Sequence, residues 1–119
     1  MNDSQTTIQE LRDLVGQFVK DRDWNQFHDP KNLSMDIAAE AAELLEKFLW
    51  CSNSDSFNEL QKERQEVEDE LADVFLGTLK FANATGIDIT KAVRHKLALS
   101  AQKYPIDKAK GRTTKYNKL

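Results

Sequence analysis

The chain has 119 residues, of which 39% are hydrophobic and 31% are charged. Leucine, isoleucine, valine and phenylalanine together number 29, about 24% of the chain, which is above the level of roughly 20% below which chains tend to be disordered, so one small globular domain is expected. Lysine and arginine number 17 against 20 acidic residues, which gives a formal charge of −3. Residues 1–105 carry a net charge of −7 and residues 106–119 a net charge of +4. The acidic body argues against binding of a DNA or RNA backbone.

The sequence also predicts the cellular compartment of the protein. The longest unbroken apolar run covers residues 48–51, which is far shorter than a membrane-spanning helix requires. The first residues lack the basic and apolar regions of a signal peptide. The lone cysteine, Cys51, cannot form an internal disulfide, and a reducing compartment suits it. We therefore expect a cytoplasmic protein without a membrane partner.

Residue types predict an all-α fold of four helices. Helix-forming residues dominate, and no segment alternates with the two-residue period of a strand. The first helix follows Ser4 and ends near residues 21–23. The second begins at a capping residue, Asn32 or Ser34, and runs to about Cys51.

The third helix is the longest of the four. It follows a polar turn, begins near Phe57 or Asn58 and reaches about Thr85. Gly86 provides its C-terminal stop, because glycine readily adopts the left-handed conformation that ends many helices.

The fourth helix completes the predicted bundle. It begins at Asp88 or Thr90 and ends at Tyr104, because the proline that follows cannot continue a helix. We predict one helical domain, residues 1–105. The basic tail, residues 106–119, is expected to be extended or partly ordered by a partner subunit.

Two acidic pairs lie beside the predicted apolar stripes. Glu40 and Glu43 flank the stripe of the second helix, and Glu70 and Asp73 flank that of the third. Helices packed through these stripes would bring four carboxylates to one cavity, where like charges destabilise the fold. A hard divalent cation relieves this repulsion, and oxygen-only ligands favour Mg²⁺, Mn²⁺ or Ca²⁺. In the alternative interpretation, these acids rim the bundle and form salt bridges with basic neighbours. The candidate neighbours are Lys47, Lys62 and Arg64.

Other polar and aromatic residues also have two interpretations. Lys96 and Ser100 lie beside the apolar face of the fourth helix, where Lys96 either binds phosphate or extends its stem over apolar surface. Trp24 and His28 precede the second helix, and Trp50 lies at its end. These aromatic residues belong to a core or interface, or they form a stacking surface for a nucleobase.

Several sequence blocks match one known family. They are R-D-W-N-Q-F-H-D-P-K-N-L at 22–33, E-A-A-E-L at 40–44, Trp50, E-L-A-D-V at 70–74 and K-Y-P at 103–105. Over nearly its whole length the chain resembles the MazG-like all-α nucleotide pyrophosphohydrolases, and it is most similar to their dCTP pyrophosphatase branch. The block around the R-D-W motif is more specific than the acidic pairs.

This resemblance implies an activity and an assembly. MazG-like enzymes cleave a nucleoside triphosphate between the α and β phosphates, releasing a monophosphate and pyrophosphate, and so clean the nucleotide pool. The resemblance implies Mg²⁺ as cofactor, with Mn²⁺ as a substitute, and a homotetramer. Our hypothesis for the general base is Glu43.

The resemblance also implies a set of site residues. The metal ligands and catalytic residues are Glu40, Glu43, Glu70 and Asp73. Trp24, His28 and Trp50 line the base pocket, Lys96 contacts phosphate, and Tyr104 lies near the sugar or phosphates. Ser100 stands where the branch usually has Asn. A hydroxyl cannot replace the paired donor and acceptor of an amide, so we expect that the substitution alters base or sugar preference.

Two alternatives stay open. The first is a pyrophosphatase with broader specificity or with a preference for dATP or dUTP. The second is a non-catalytic helical module whose acidic cavity binds metal ions or a basic partner, and it predicts no Mg²⁺-dependent pyrophosphate release. The short chain and the glycines within its helices, Gly16 and Gly77, indicate self-association in either case.

Overall fold

A computed structural model describes all of residues 1–119, and every regular element is helical. The helices are α1 (Ile8–Asp21), α2 (Pro30–Glu46), α3 (Ser56–Lys62), α4 (Arg64–Thr85), α5 (Ile89–Lys103) and α6 (Ile106–Ala109). Single 3₁₀ turns occupy Asn25–Phe27, Asn53–Asp55 and Tyr116–Lys118. The prediction of an all-α chain is confirmed. None of the helices combines the length and the apolar character that crossing a membrane requires.

Side-chain caps determine where α1 and α2 begin. The Thr7 hydroxyl accepts from the Glu10 N–H at 3.1 Å, and the Glu10 carboxylate accepts from the Thr7 N–H at 2.6 Å. The Asp29 carboxylate accepts from the Asn32 N–H at 2.7 Å, and Pro30 occupies the first turn of α2. Proline suits that position because its missing N–H would have no helical partner. The second helix therefore begins earlier than predicted.

The second helix also ends earlier than predicted. α2 stops at Glu46, and tighter turns follow it. The Phe48 N–H donates to the Leu45 carbonyl at 2.9 Å, and the Cys51 N–H donates to the Phe48 carbonyl at 3.3 Å. Bonds between residues three apart characterise these tighter turns. They replace the last helical turn predicted to carry Trp50.

The predicted third helix is divided in two. Glu63 separates α3 from α4 with φ −120° and ψ 33°. The Glu63 N–H still donates to the Glu59 carbonyl at 3.2 Å, and the Val67 N–H donates to the Glu63 carbonyl at 3.0 Å. Gly86, at φ 73°, ends α4 as predicted.

α2 and α4 form the most extensive helix–helix contact, and they run antiparallel. Ile37, near the start of α2, lies against Gly77 in the second half of α4. A Cβ added to Gly77 would come within 3.0 Å of Ile37 Cγ1, so the glycine permits a close approach. At the other end of the contact, Lys47 Nζ lies 2.7 Å from Glu66 Oε2. Residues between these two contacts face each other.

The first compact unit, Met1–Ile87, has its core between α1 and α4. Val15 and Val19 of α1 pack against Leu79 of α4, and Ile8 and Leu11 extend this cluster. The cluster is small, so much apolar surface is left outside the core.

Arg12 joins α1 to the end of α4. Its guanidinium donates to the Ala82 carbonyl at 3.0 Å, to the Ile87 carbonyl at 2.6 Å and to Asn83 Oδ1 at 3.0 Å. The Asn83 amide donates in return to the Arg12 carbonyl at 3.0 Å. These bonds connect α1 to the last turn of α4 and to Ile87 just after it.

The second compact unit, Asp88–Leu119, contains α5 and the basic tail, in which α6 and the last 3₁₀ turn are helical rather than extended. The rings of Tyr104 and Tyr116 meet edge to face at 6.0 Å, and the Lys103 ammonium lies 4.7 Å from the centre of the Tyr116 ring. Contacts thus divide the chain after Ile87. The functional division into a domain of residues 1–105 and a tail stays a prediction.

Candidate metal centre

The four predicted carboxylates converge in the contact between α2 and α4. Glu40 and Glu43 come from α2, Glu70 and Asp73 come from α4, and one oxygen of each lies within 4.8 Å of the others. Their spacing of three residues keeps both members of a pair on one helix face. The antiparallel packing then turns the two faces toward each other. Glu40 and Glu70 are half-buried, whereas Glu43 is exposed.

The electrostatics of this acidic cluster are unfavourable for carboxylates alone. Glu40 Oε2 and Glu70 Oε2 are buried and have no hydrogen-bond partner. A hydrogen bond with Glu43 raises the pKa of Glu40 to about 7, and burial and the nearby charges of Glu43, Asp73 and Asp36 act in the same direction. Burial is also the main cause of the raised pKa of Glu70. Buried acceptors without donors are costly.

The donor set fits a hard divalent cation. Four carboxylates supply only oxygen ligands, which favour Mg²⁺, Mn²⁺ or Ca²⁺ over softer metals. A cation among them would give the two partnerless oxygens a partner and would offset the mutual repulsion that raises the pKa of Glu40. The cluster is therefore a candidate divalent-metal centre.

An open pocket of about 650 Å³ adjoins the acidic cluster. Glu43, Glu70 and Trp50 all line it. Trp50 is 93% exposed, so its ring is free to stack on a ligand. The other lining residues are Glu46, Lys47, Cys51, Glu59 and Glu63. Trp50 thus lines the same pocket as two of the carboxylates, and its role in a base pocket stays a prediction.

Trp24 and His28 lie on either side of the 3₁₀ turn before α2. Trp24 packs edge to face against Phe18 of α1, with ring centres 5.7 Å apart. His28 is half-buried, and burial lowers its pKa, with a further lowering by Lys80 and an opposing effect of Asp36. The pKa of His28 thus responds to the charge of Asp36, which lies one helical turn before Glu40, while Trp24 packs on α1.

Lys96, Ser100 and Tyr104 belong to the second compact unit. Lys96 is exposed and Ser100 is half-buried on α5, and the Tyr104 N–H donates to the Ser100 carbonyl at 2.9 Å. The roles proposed for these residues in substrate binding stay predictions.

The salt-bridge interpretation applies to neighbouring acids. Lys47 pairs with Glu66 at 2.7 Å, and Arg64 pairs with Glu68 at 3.6 Å. None of the four clustered carboxylates is in a salt bridge. The two interpretations therefore describe different residues on the same helices.

Sequence reasoning missed two groups of residues near the cluster. Asp36 contributes to the raised pKa of Glu40, and its place four residues earlier on α2 is a signal that a helical wheel contains. Glu46 and Glu59 line the pocket, and Glu59 belongs to the short helix α3, which ends at Lys62. No residue type marks that break, since proline and glycine are absent around it.

Comparisons with known proteins identify the family. The model of the MazG-like family matches residues 36–119, which contain all four carboxylates. The chain belongs to the MazG-like family. Other proteins similar to this MazG-like chain include dCTP pyrophosphatase 1 of Rattus norvegicus, 34% identical over 95% of this chain and 68% of the relative. Human dCTP pyrophosphatase 1 is 31% identical over the same shares.

A solved structure resembles most of this MazG-like chain. The crystal structure of a pyrophosphatase from Archaeoglobus fulgidus superposes with a TM-score of 0.81 and is 36% identical in sequence. The match covers 88% of this chain and 98% of the archaeal one. The family resemblance predicted from the sequence motifs is confirmed.

Proposed function

We propose that this protein hydrolyses nucleoside triphosphates between the α and β phosphates, with dCTP as the favoured substrate. Its class follows from its family and relatives, which make it a nucleoside triphosphate pyrophosphatase. The observation that carries the proposal is the acidic cluster beside an exposed tryptophan. The names of the curated relatives support dCTP.

We assign Glu40, Glu43, Glu70 and Asp73 as ligands of Mg²⁺, with Mn²⁺ as a substitute. Their oxygen-only donor set and the partnerless oxygens of Glu40 and Glu70 support this assignment. A divalent cation bound there would supply Lewis-acid chemistry and neutralise charge on the polyphosphate. Without it, a substrate with several negative charges would meet four carboxylates.

Glu43 is the carboxylate that we assign as general base. It is the exposed member of the α2 pair and lines the open pocket, so water can reach it. It belongs to the same carboxylate cluster as Glu40, Glu70 and Asp73, so a base there would lie beside the proposed cation. A carboxylate at the pocket surface can take the proton of an attacking water molecule and return it to solvent.

The aromatic residues supply the proposed recognition of the base. Trp50 offers an exposed ring beside the carboxylates. We assign His28 and Trp24 to the same base pocket, Lys96 to phosphate and Tyr104 to the sugar or phosphates, as the family resemblance implies. The hydroxyl of Ser100 is expected to alter base or sugar preference.

We further propose a homotetramer in the cytoplasm. Twenty large apolar or aromatic side chains are exposed, whereas six hydrophobic residues are buried. A chain that leaves this much apolar surface outside its core gains stability by covering it with further copies.

A pyrophosphate-release assay tests the function. The common deoxyribonucleoside and ribonucleoside triphosphates are compared with Mg²⁺ and with EDTA. We expect the highest kcat/KM for dCTP and no release in EDTA. Faster hydrolysis of dATP or dUTP would contradict the dCTP assignment and leave the class intact. No release from any triphosphate would contradict the class and favour a non-catalytic metal-binding module.

A further inference from the structure

Lys47, the C-cap residue of α2, forms the one ion pair that connects the end of α2 to α4. Its ammonium lies 2.7 Å from Glu66 Oε2 in the first turn of α4, and the other ion pair lies within α4. The side chain of Lys47 is 23% exposed and that of Glu66 is 62% exposed. The hydrogen bond to Glu66 raises the pKa of Lys47, so the ammonium stays charged.

The position of this pair relative to the acidic cluster follows from the helix register. Lys47 follows Glu43 by four residues, and Glu66 precedes Glu70 by four residues. Each step is about one turn, or about 6 Å along the axis. Because α2 and α4 are antiparallel, both steps lead the same way along the groove between the helices. The ion pair therefore lies one turn beyond the carboxylates.

Lys47 is also the only basic residue that lines the pocket. The other charged residues around it are glutamates, and Glu66 itself is not among the lining residues. A substrate polyphosphate that enters the pocket thus meets a single protein cation. An ion pair with one largely exposed partner contributes little to stability, so it can be broken at small cost. Phosphate oxygens are strong acceptors for an ammonium group.

We propose that Lys47 is a further substrate-binding residue, whose ammonium leaves the Glu66 carboxylate and donates to phosphate oxygens of a bound nucleoside triphosphate. This inference rests on the proposed function. Glu66 holds the ammonium beside the pocket in the free protein and competes with phosphate for it. A triphosphate that reaches the acidic cluster extends far enough along the groove to meet Lys47.

Four variants test this role against a purely structural one. They are Lys47→Gln, Lys47→Arg, Glu66→Gln and the control Lys62→Gln. Lys62 is an exposed lysine of α3 that does not line the pocket. Steady-state pyrophosphate release with dCTP gives kcat and KM, and a Mg²⁺ titration gives the metal requirement of each variant.

The two roles predict different patterns. For a phosphate contact, Lys47→Gln raises KM about 10-fold, because a hydrogen bond to a charged group is lost. Lys47→Arg keeps KM near the wild-type value, Lys62→Gln has no effect, and Glu66→Gln lowers KM because the competing carboxylate is gone. If the ion pair between Lys47 and Glu66 only holds the helices together, Lys47→Gln and Glu66→Gln raise KM by similar factors. That result, or an unchanged KM in Lys47→Gln, would overturn the proposal.

The Mg²⁺ titration separates a direct contact from an effect through the carboxylates. Removal of a positive charge near Glu70 cannot weaken cation binding electrostatically. An increased Mg²⁺ requirement in Lys47→Gln would therefore mean that Lys47 positions the cluster, and the proposal would be wrong. If Lys47→Gln does not fold, the KM of Glu66→Gln tests the proposal instead. A decrease in this KM supports the proposal, and an increase overturns it.

Failure of the proposed function is distinguishable from failure of this inference. A wild-type protein that releases no pyrophosphate from any triphosphate contradicts the function. Lys47 is then tested by calorimetric binding of inorganic triphosphate in Mg²⁺ buffer, where Lys47→Gln is expected to weaken binding about 10-fold. Equal binding by wild type and variant, or none by either, overturns the inference.

Discussion

Single residues carry the proposed chemistry, and charge-neutral substitutions test them. Glu43→Gln and Asp73→Asn keep the size of each side chain but remove a charge and a strong oxygen ligand. We expect either change to lower kcat by about 100-fold or more, while circular dichroism shows an unchanged helix content. Glu68→Gln is the matched control, because Glu68 lies on α4 outside the cluster. Full activity in both cluster variants would refute the metal-centre assignment.

Substitution of Trp50 is a second test of a single residue. Its ring is almost fully exposed, so truncation to alanine removes little packing within the chain. Stacking of a base on an aromatic ring contributes about 1–3 kcal/mol, so Trp50→Ala is expected to raise KM for dCTP about 10-fold with an unchanged melting temperature. Phe57→Ala, at a residue 78% exposed and away from this pocket, serves as control. Equal KM values in wild type and Trp50→Ala would exclude Trp50 from base binding.

The raised pKa of Glu40 predicts a pH dependence. In the folded, metal-free protein the pKa is about 7, above its ordinary value of 4.5, because of the hydrogen bond with Glu43, burial and nearby carboxylates. The folded chain thus binds this proton more tightly than the unfolded chain. Its contribution to stability is complete below the ordinary pKa and is lost as pH rises through the folded pKa.

Melting temperatures measure this effect. In EDTA, the contribution of Glu40 is expected to decline between about pH 5 and about pH 8, and the added stability from Mg²⁺ is expected to grow over the same range because the cation needs deprotonated ligands. Glu40→Gln should remove most of the decline. A Mg²⁺ effect that is constant across this pH range would contradict the assignment of Glu40 as a ligand.

Residue spacing within each helix predicts the acidic cluster, but it does not predict which residues line the adjoining pocket. Glu40 and Asp73 follow from helical wheels because both lie beside an apolar stripe on long helices. From its spacing alone Lys47 is an ordinary salt-bridge partner, because its place in the pocket depends on the register between α2 and α4. That register arises from tertiary contacts such as Ile37 against Gly77, which periodicity within one helix does not encode.

At the scale of elements, α1 is attached to α4 by Arg12 as well as by the core. Three hydrogen bonds connect its guanidinium to the last turn of α4 and the residues after it. Bonds to charged groups contribute about 1.5–3 kcal/mol, so Arg12→Ala should lower the free energy of unfolding by about 2 kcal/mol in urea titrations. Arg64→Ala, which removes an exposed pair four residues apart, should change it by about 0.5 kcal/mol or less. Equal effects of the two variants would refute this role of Arg12.

Helix ends were predictable where one residue dictates backbone geometry. Gly86 ended α4 as expected, and Asp88 capped α5 by accepting from the Lys91 N–H at 2.9 Å. The start of α2 was misplaced because Asp29 and Pro30 read equally well as a loop or as a cap and first turn. The break at Glu63 had no residue signal at all.

For the whole molecule, the surface of the first compact unit points to self-association. An open groove of about 820 Å³ is formed by residues 1–6, α1 and α4, and it is lined largely by apolar side chains. Leu71 is 58% exposed and Phe75 is 39% exposed within it. Large contiguous apolar patches are rare on soluble monomers and often mark sites of interaction. A second copy is the expected occupant, since the family resemblance implies a homotetramer.

Sedimentation tests this assembly. We expect the wild-type protein to sediment at a multiple of its chain mass of 13.6 kDa, with four chains favoured. Leu71→Gln introduces a polar group into the groove without adding charge, and because Leu71 is already exposed in the single chain, the variant should keep its helix content while its assembly weakens. Thr85→Ser, a mild change at the far end of α4, is the control. A wild-type protein that sediments as a single chain at every concentration would contradict the assembly, and an unchanged assembly in Leu71→Gln would place the interface elsewhere than this groove.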